Sequence, residues 1–217
     1  GKDAAVLDVG CGAGRYSLAL AKHCRHVVGT DISPKMIGLA REMAGRLDIP
    51  NADFHQGDWD EVDIEEMGWS RKFDLVFAHM TPAVESPDTL DKVSAASRKW
   101  CLMCKPTRRT DTVTDRLREE LGLKSIRKSF DDTIMYCFGL LWAQGYLPRI
   151  EYDEQVWNGD RPLEEAKLHY TRFIEARHQL KDTQKERIAS YLPSIAEDGR
   201  VKEEIHTTIA MMYWATV

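Results

Sequence analysis

Along the first hundred residues, short apolar runs alternate with segments whose apolar positions recur at three- and four-residue steps. Residues 4–9 (AAVLDV) predict a buried strand, and 15–24 a helix with Leu18, Ala21 and Cys24 on one side. Residues 26–30 (HVVGT) predict a second strand. Ser33 then stands as an N-cap and Pro34 as a first helical residue, opening a helix with Met36, Ala40, Met43 and Leu47 on one face. Residues 52–55 predict a third strand and 73–79 (FDLVFAH) a fourth. Ser86 and Pro87 repeat the cap-and-proline start for a helix to about Lys99, ahead of a fifth strand over 100–104. Such alternation is the mark of βαβ units on a parallel sheet.

Beyond Lys105 the alternation loosens. Residues 114–121 predict a short helix ended by Gly122, and 131–144 a strongly apolar one ended by Gly145. Residues 147–156 and 205–216 predict strands. Between them, 163–180 and 184–192 predict amphipathic helices, the first carrying Leu163, Ala166, Tyr170, Phe173, Ile174 and Arg177 at helical steps. The aromatics of this half, including Tyr136, Trp142 and Tyr170, read mostly as core.

The chain has 217 residues, 43% apolar and 30% charged, with a formal net charge of −5. That balance suits one large globular domain, or a core with a small cap, and disfavours a nucleic-acid binder held by a broad basic surface, leaving a local patch open. The longest apolar stretch, 134–143, falls short of the ~20 residues a bilayer span needs. Five scattered cysteines read as reduced thiols of a cytoplasmic protein, and the lone Cys101/Cys104 pair as packing, with no metal site. The chain starts at Gly1, close to its first strand, so residues upstream are expected to be missing. One region opposes the acidic whole: 105–128 holds Lys105, Arg108, Arg109, Arg116, Arg118, Lys124, Arg127 and Lys128 against Asp111, Asp115, Glu119 and Glu120. Mixed charge pairs on a solvated face account for it. The functional alternative is that Arg108 or Arg109, just past the fifth strand, pairs an anionic acceptor.

The densest chemistry lies at Val6-Leu7-Asp8-Val9-Gly10-Cys11-Gly12-Ala13-Gly14-Arg15. A buried strand runs into three alternate glycines and then a helix, a turn that lets a nucleotide-like ligand approach the backbone at the carboxyl edge of a sheet. Arg15 stands where the dinucleotide fingerprint needs glycine, and no GK[ST] follows. Asp31 closes the second strand, 21 residues after Gly10, near the ~20 expected of a ribose-binding acid. Gly57-Asp58-Trp59 follows the third strand, and His79-Met80-Thr81-Pro82 ends the fourth.

Together these segments resemble the class I S-adenosylmethionine-dependent methyltransferases, over about residues 4–105 and in order. The resemblance implies a Rossmann-like α/β fold: an open, mostly parallel seven-stranded sheet with an antiparallel last strand and a helical insertion, at about 160–200, before it. Residues 1–106 would form the cofactor-binding half and 107–217 the substrate-side half. It implies S-adenosylmethionine as cofactor and S-adenosylhomocysteine as product. Gly10, Cys11, Gly12 and Gly14 would shape the loop around the methionyl part, and Asp8 would orient its amino group through that loop. Asp31 would bind the ribose hydroxyls and Ile32 cover one adenine face. Asp58 would accept from the adenine amine with Trp59 beside the ring. His79 and Met80 would stand at the mouth of the acceptor site.

Methyl transfer is an SN2 displacement governed by alignment, and a base is needed only for a protonated nucleophile; His79 is the candidate. Two features depart from the family pattern. The Gly-Gly pair usual before the fifth strand is replaced by Ser97-Arg98-Lys99-Trp100-Cys101, and the fourth strand lacks the Asp/Asn-Pro-Pro-aromatic tetrad of enzymes that modify base or glutamine nitrogens. The expectation is a cytoplasmic enzyme with a small-molecule acceptor, no membrane partner, nucleic acid disfavoured, and a homodimer left open. The alternatives are an RNA or protein methyltransferase docking through 105–128, or a non-catalytic cofactor-binding regulator.

Overall fold

The computed structural model describes residues 1–123, 128–176 and 178–216, with the side chains of 128–132 outside the description. The elements run β1 (Ala5–Val9), α1 (Arg15–Ala21), β2 (His26–Asp31), α2 (Pro34–Arg46), β3 (Ala52–Gln56), β4 (Phe73–His79), α3 (Pro87–Ala96), β5 (Ser97–Asp111), α4 (Thr114–Glu120), α5 (Lys128–Ala143), β6 (Arg149–Pro162), α6 (Leu163–Glu175), α7 (Asp182–Ile195) and β7 (Arg200–Ala215). Seven strands form one Rossmann-like sheet in the order β3-β2-β1-β4-β5-β7-β6, with β7 antiparallel. Pairs β1/β2, β2/β3, β1/β4 and β4/β5 are parallel. The strand order reverses between β1 and β4, and the carboxyl ends of the strands flanking such a switch point open a crevice.

The chain divides into two compact units. The first comprises Gly1–Lys105, Asp132–Tyr152 and Ala210–Val217. Its strands alternate between two cores, as a strand covered on both faces must. Ala5, Leu7 and Val9 face a layer that includes Leu90, Val93, Ile134, Leu141 and Trp214. Val6 faces the other, with Leu18, Ile37, Ala40 and Phe54. Asp8 shares the Val6 side of β1 by the same alternation. This is why a charged residue ends up buried under α1.

The second unit comprises Pro106–Asp131 and Asp153–Ile209. Val113, Leu117, Ala166, Tyr170, Ile174, Ile188, Leu192 and Val201 form its core. Beside them the buried Glu203 accepts from the Tyr170 hydroxyl at 2.5 Å and from the Arg161 guanidinium.

Several elements differ from the sequence reading. The buried stripe of α2 is Ile37, Ala40 and Ala44, whereas Met36, Met43 and Leu47 are exposed. Small side chains must face inward here, because Phe54 and Gly14 lie directly beneath Ala40. Helix α3 ends at Ala96, not Lys99, because Arg98 and Lys99 are drawn to Asp74 on β4. Strand β5 continues to Asp111, past the polar residues that masked its continuation. Strand β7 starts at Arg200, five residues early, since buried Glu203 interrupts the apolar alternation that marks a strand. Helix α6 ends at Glu175, and Arg177 lies outside the described residues. Tyr136 and Trp142 are 71% and 61% exposed rather than core, while Tyr170 is fully buried. No described helix is long and apolar enough to cross a membrane.

Candidate functional site

The site lies in the first unit, at the carboxyl ends of β1, β2 and β4. Gly10 and Cys11 both donate backbone N–H groups to the Thr30 carbonyl, at 2.8 and 2.9 Å, so the turn after β1 is hooked to the end of β2. Gly10 has φ 71°, and a Cβ there would stand 2.0 Å from Thr81 Oγ1. Gly14 has φ 79°, with Phe54 2.9 Å from where a Cβ would be. Both positions therefore demand glycine for conformation and for space. At Gly12 the corresponding direction is open, so the turn presents bare backbone to unfilled space.

Asp31 is the hub. Its Oδ2 accepts the Gly12 N–H and its Oδ1 the Ser33 N–H, each at 2.9 Å. One carboxylate thus ties the glycine turn to the start of α2, and each oxygen keeps a lone pair for a hydroxyl. Ile32 beside it is 63% exposed, an aliphatic side chain left in water at the same edge. The Gly57 N–H donates to the Asp31 carbonyl at 3.0 Å and brings the Asp58 turn alongside. Lys92 holds that turn through the carbonyls of Trp59, Asp60 and Val62 at 2.7, 2.8 and 3.1 Å. Under it, the buried hydroxyl of Thr30 has no hydrogen-bond partner among the described residues.

The expected residues fall into two groups. Gly10, Cys11, Gly12, Gly14, Asp31, Ile32, Asp58, His79 and Met80 gather along this edge. Trp59 does not present its ring there: it is 2% exposed in the core, its indole N–H donating to the Thr89 carbonyl at 3.0 Å. Burial of so large an apolar area outweighs leaving it as an open stacking surface. Asp8 is buried beneath the turn and accepts from the Ser17 hydroxyl at 2.5 Å. Burial lifts its carboxyl to about 7, the Ser17 bond opposes this, and the Asp31 charge adds to it. The Cys11 thiol is pushed up to about 12, mainly by burial, so it is a neutral wall and no nucleophile. Cys101 and Cys104 are buried on β5 and likewise raised, to about 12 and about 11.

At the end of β4, the His79 ring packs against Tyr16 with centroids 4.3 Å apart. Burial lowers its pKa below the usual 6.5, so the imidazole is neutral at pH 7. Met80 adopts φ 54°, unusual for a side-chain-bearing residue, and donates its N–H to the Cys104 carbonyl at 2.9 Å. Sequence reasoning missed Tyr16 and Ser17, which belong to no motif; Thr81 and Lys105 were named only as part of the strand-four end and of the basic segment, and their burial and mutual contact appear only in the fold.

Arg108 and Arg109 sit within β5, in the second unit, and not past the strand's end. Arg109 lies over the Trp157 ring at 5.6 Å and 3.9 Å from Asp111.

A methyltransferase-domain family profile matches residues 1–133. The chain belongs to that family, and its fold is that of the class I S-adenosylmethionine-dependent methyltransferases. It is 46% identical over 77 residues to the 23S rRNA (uracil(1939)-C(5))-methyltransferase RlmD of Aeromonas hydrophila, covering 35% of this chain and 17% of that protein. It is 40% identical over 88 residues to the release factor glutamine methyltransferase of Vibrio cholerae, covering 40% of this chain and 29% of that one. The chain thus spans about a sixth to a third of the length of these relatives. A crystal structure of a Bacillus halodurans protein described as a putative methyltransferase superposes with a TM-score of 0.60 at 16% identity, over 99% of this chain and 93% of that one. The bare glycine turn, the two-toothed Asp31 and the exposed Ile32 fit an adenosyl cofactor with a methionyl tail.

Proposed function

We infer that this chain transfers a methyl group from S-adenosylmethionine to a small-molecule acceptor. One observation carries the reading: the Asp31 carboxylate, fastened by Gly12 and Ser33 beside a turn whose glycines admit no side chain. When bound, S-adenosylmethionine supplies an activated methyl on a sulfonium that leaves as a neutral thioether. Asp31 accepts the ribose hydroxyls, Ile32 and Asp58 flank the adenine, and Gly10, Cys11, Gly12 and Gly14 admit the methionyl part, with Asp8 steadying the turn through Ser17. His79, neutral at pH 7, would accept a proton from an acceptor O–H or N–H on a ring nitrogen, with Met80 beside it at the mouth of the acceptor site.

Support for a small acceptor comes from the basic segment. Lys105 is buried, and Arg109, Arg116 and Arg118 pair with Asp111, Glu119 and Asp115 at 3.9, 3.1 and 3.5 Å. Cations so engaged make a poor polyanion face. Lys124 and Arg127 lie outside the described residues, as does the side chain of Lys128. The β4 end, His79-Met80-Thr81-Pro82, lacks the tetrad of base- and glutamine-modifying enzymes.

Calorimetry with S-adenosylhomocysteine tests the core of the reading. Wild-type protein binds, and Asp31→Ala loses at least ~100-fold, the worth of two charge-assisted hydrogen bonds. Absence of heat with wild-type protein refutes it. Methyl transfer to a panel of acids, amines and neutral analogues then separates catalysis from a regulator that binds without turnover, and steep salt dependence of polyanion binding would reassign the acceptor to RNA.

A further inference from the structure

Lys105 is 5% exposed, at the point where β5 leaves the first unit. Its ammonium donates to one protein acceptor among the described residues, the Thr81 carbonyl at 2.6 Å. Burial depresses its pKa, opposed in part by the Glu85 carboxylate. A buried, singly bonded ammonium is a costly way to hold one carbonyl, since neutral donors serve as well.

What Thr81 touches gives the lysine its purpose. Thr81 Oγ1 occupies the space over Gly10, 2.0 Å from where a Cβ would stand, and accepts the Ala83 N–H at 3.1 Å. The residue before it, Met80, is held in a left-handed conformation by its bond to Cys104, the neighbour of Lys105 on β5. Such a conformation persists only where the surroundings over-determine it. Two adjacent residues of β5 therefore clamp two adjacent residues past the end of β4, and the second of these abuts the first glycine of the cofactor turn.

We propose that Lys105 is a positioning residue: by fixing Thr81 against Gly10 it sets the methionyl side of the cofactor site, leaving the adenosine side to Asp31. The inference rests on the methyltransferase reading above. It separates two halves of one ligand. Lys105→Met keeps an unbranched side chain one atom shorter, removes the charge and the donor, and leaves Asp31 untouched.

Dissociation constants of wild type and Lys105→Met are compared for S-adenosylhomocysteine and for adenosine, alongside amide hydrogen exchange at residues 79–84. The expected result is at least tenfold weaker S-adenosylhomocysteine binding, adenosine within twofold of wild type, and faster exchange at Thr81 and Ala83. Equal losses for both ligands would mean general loosening and would overturn the proposal, as would unchanged affinity for both. Should Lys105→Met not fold, Lys105→Leu, which likewise has no donor for the Thr81 carbonyl, is measured the same way and the same ratio decides. Wild-type protein that binds neither ligand overturns the methyltransferase reading and this proposal with it; normal wild-type binding with no split overturns this proposal alone.

Discussion

The two ends of the same parallel strands treat charge in opposite ways. At the amino edge, Asp74 of β4 accepts from the Arg98 guanidinium at 3.1 and 2.7 Å, from Lys99 at 2.8 Å and from the Ala5 N–H at 2.9 Å. Arg98, the neighbouring lysine and the Ala5 N–H outweigh burial and hold its carboxyl well below the usual range. At the carboxyl edge, Asp8 of β1 is buried with a hydroxyl as its bonded partner, and Lys105 of β5 is bonded to a carbonyl with no ion pair among the described residues. Their pKa values move toward neutrality, up for the acid and down for the lysine. Satisfied charge ties β1, β4 and β5 together at one end. Uncompensated charge gathers at the end where a ligand is expected, a pattern typical of functional sites.

That contrast can be broken most severely at Gly10. Gly10→Ala forces Thr81 to move and strains a positive φ, so S-adenosylhomocysteine affinity should fall at least ~100-fold by calorimetry, about 2.7 kcal/mol. Retained affinity would separate the turn from the ligand.

Asp8 offers a test through pH. Its folded pKa of about 7 lies above the unfolded value, so between about pH 4 and 7 the native state binds the extra proton. This group therefore favours folding at low pH and costs stability as pH rises through that window, the cost levelling off above about 7. Asp8→Asn, which keeps an acceptor for Ser17, should remove about 2–3 kcal/mol of the difference in unfolding free energy between pH 5 and pH 8. An unchanged pH profile from chemical denaturation would show that Asp8 ionises normally.

At the opposite edge, Asp74→Ala orphans the Ala5 N–H and two cations. It should cost about 2 kcal/mol of stability while leaving cofactor affinity within twofold. Its sign with pH is the reverse of that for Asp8: a depressed carboxyl stabilises above its unfolded pKa, and the benefit is lost as pH falls below about 4. A matching loss of affinity would erase the division of labour between the two edges.

The smallest effect is expected at His79. His79→Ala should lower methyl-transfer turnover about tenfold, near 1.4 kcal/mol, with cofactor affinity unchanged. The acid limb of the wild-type pH–rate profile should fall below 6.5, following the depressed imidazole. Equal turnover in both proteins would remove His79 from the chemistry.

Much of the site was legible in the chain because glycine and aspartate act there through the backbone. Positive φ at Gly10 and Gly14, and the spacing to Asp31, follow from local geometry that residue type announces. Trp59 was less so: an aromatic after a turn looks the same whether it stacks on a ligand or fills a core, and only the packing around it put the ring inside. The long strands β5 and β7 were hidden for a related reason. Lys105 and Glu203 occupy buried strand positions, and each reads as surface until its partner, Thr81 or Tyr170, is known.

The order of strands and helices, the glycine turn and the two acids at the strand ends were thus set by the amino-acid sequence itself, since periodicity and conformational preference are properties of neighbouring residues. Which face of α2 turns inward, which aromatic is core, and the buried ammonium fastened to Thr81 were decided by the fold alone. Those depend on residues 14 or more positions apart meeting in a low-dielectric interior, where the partner and not the residue determines the energy.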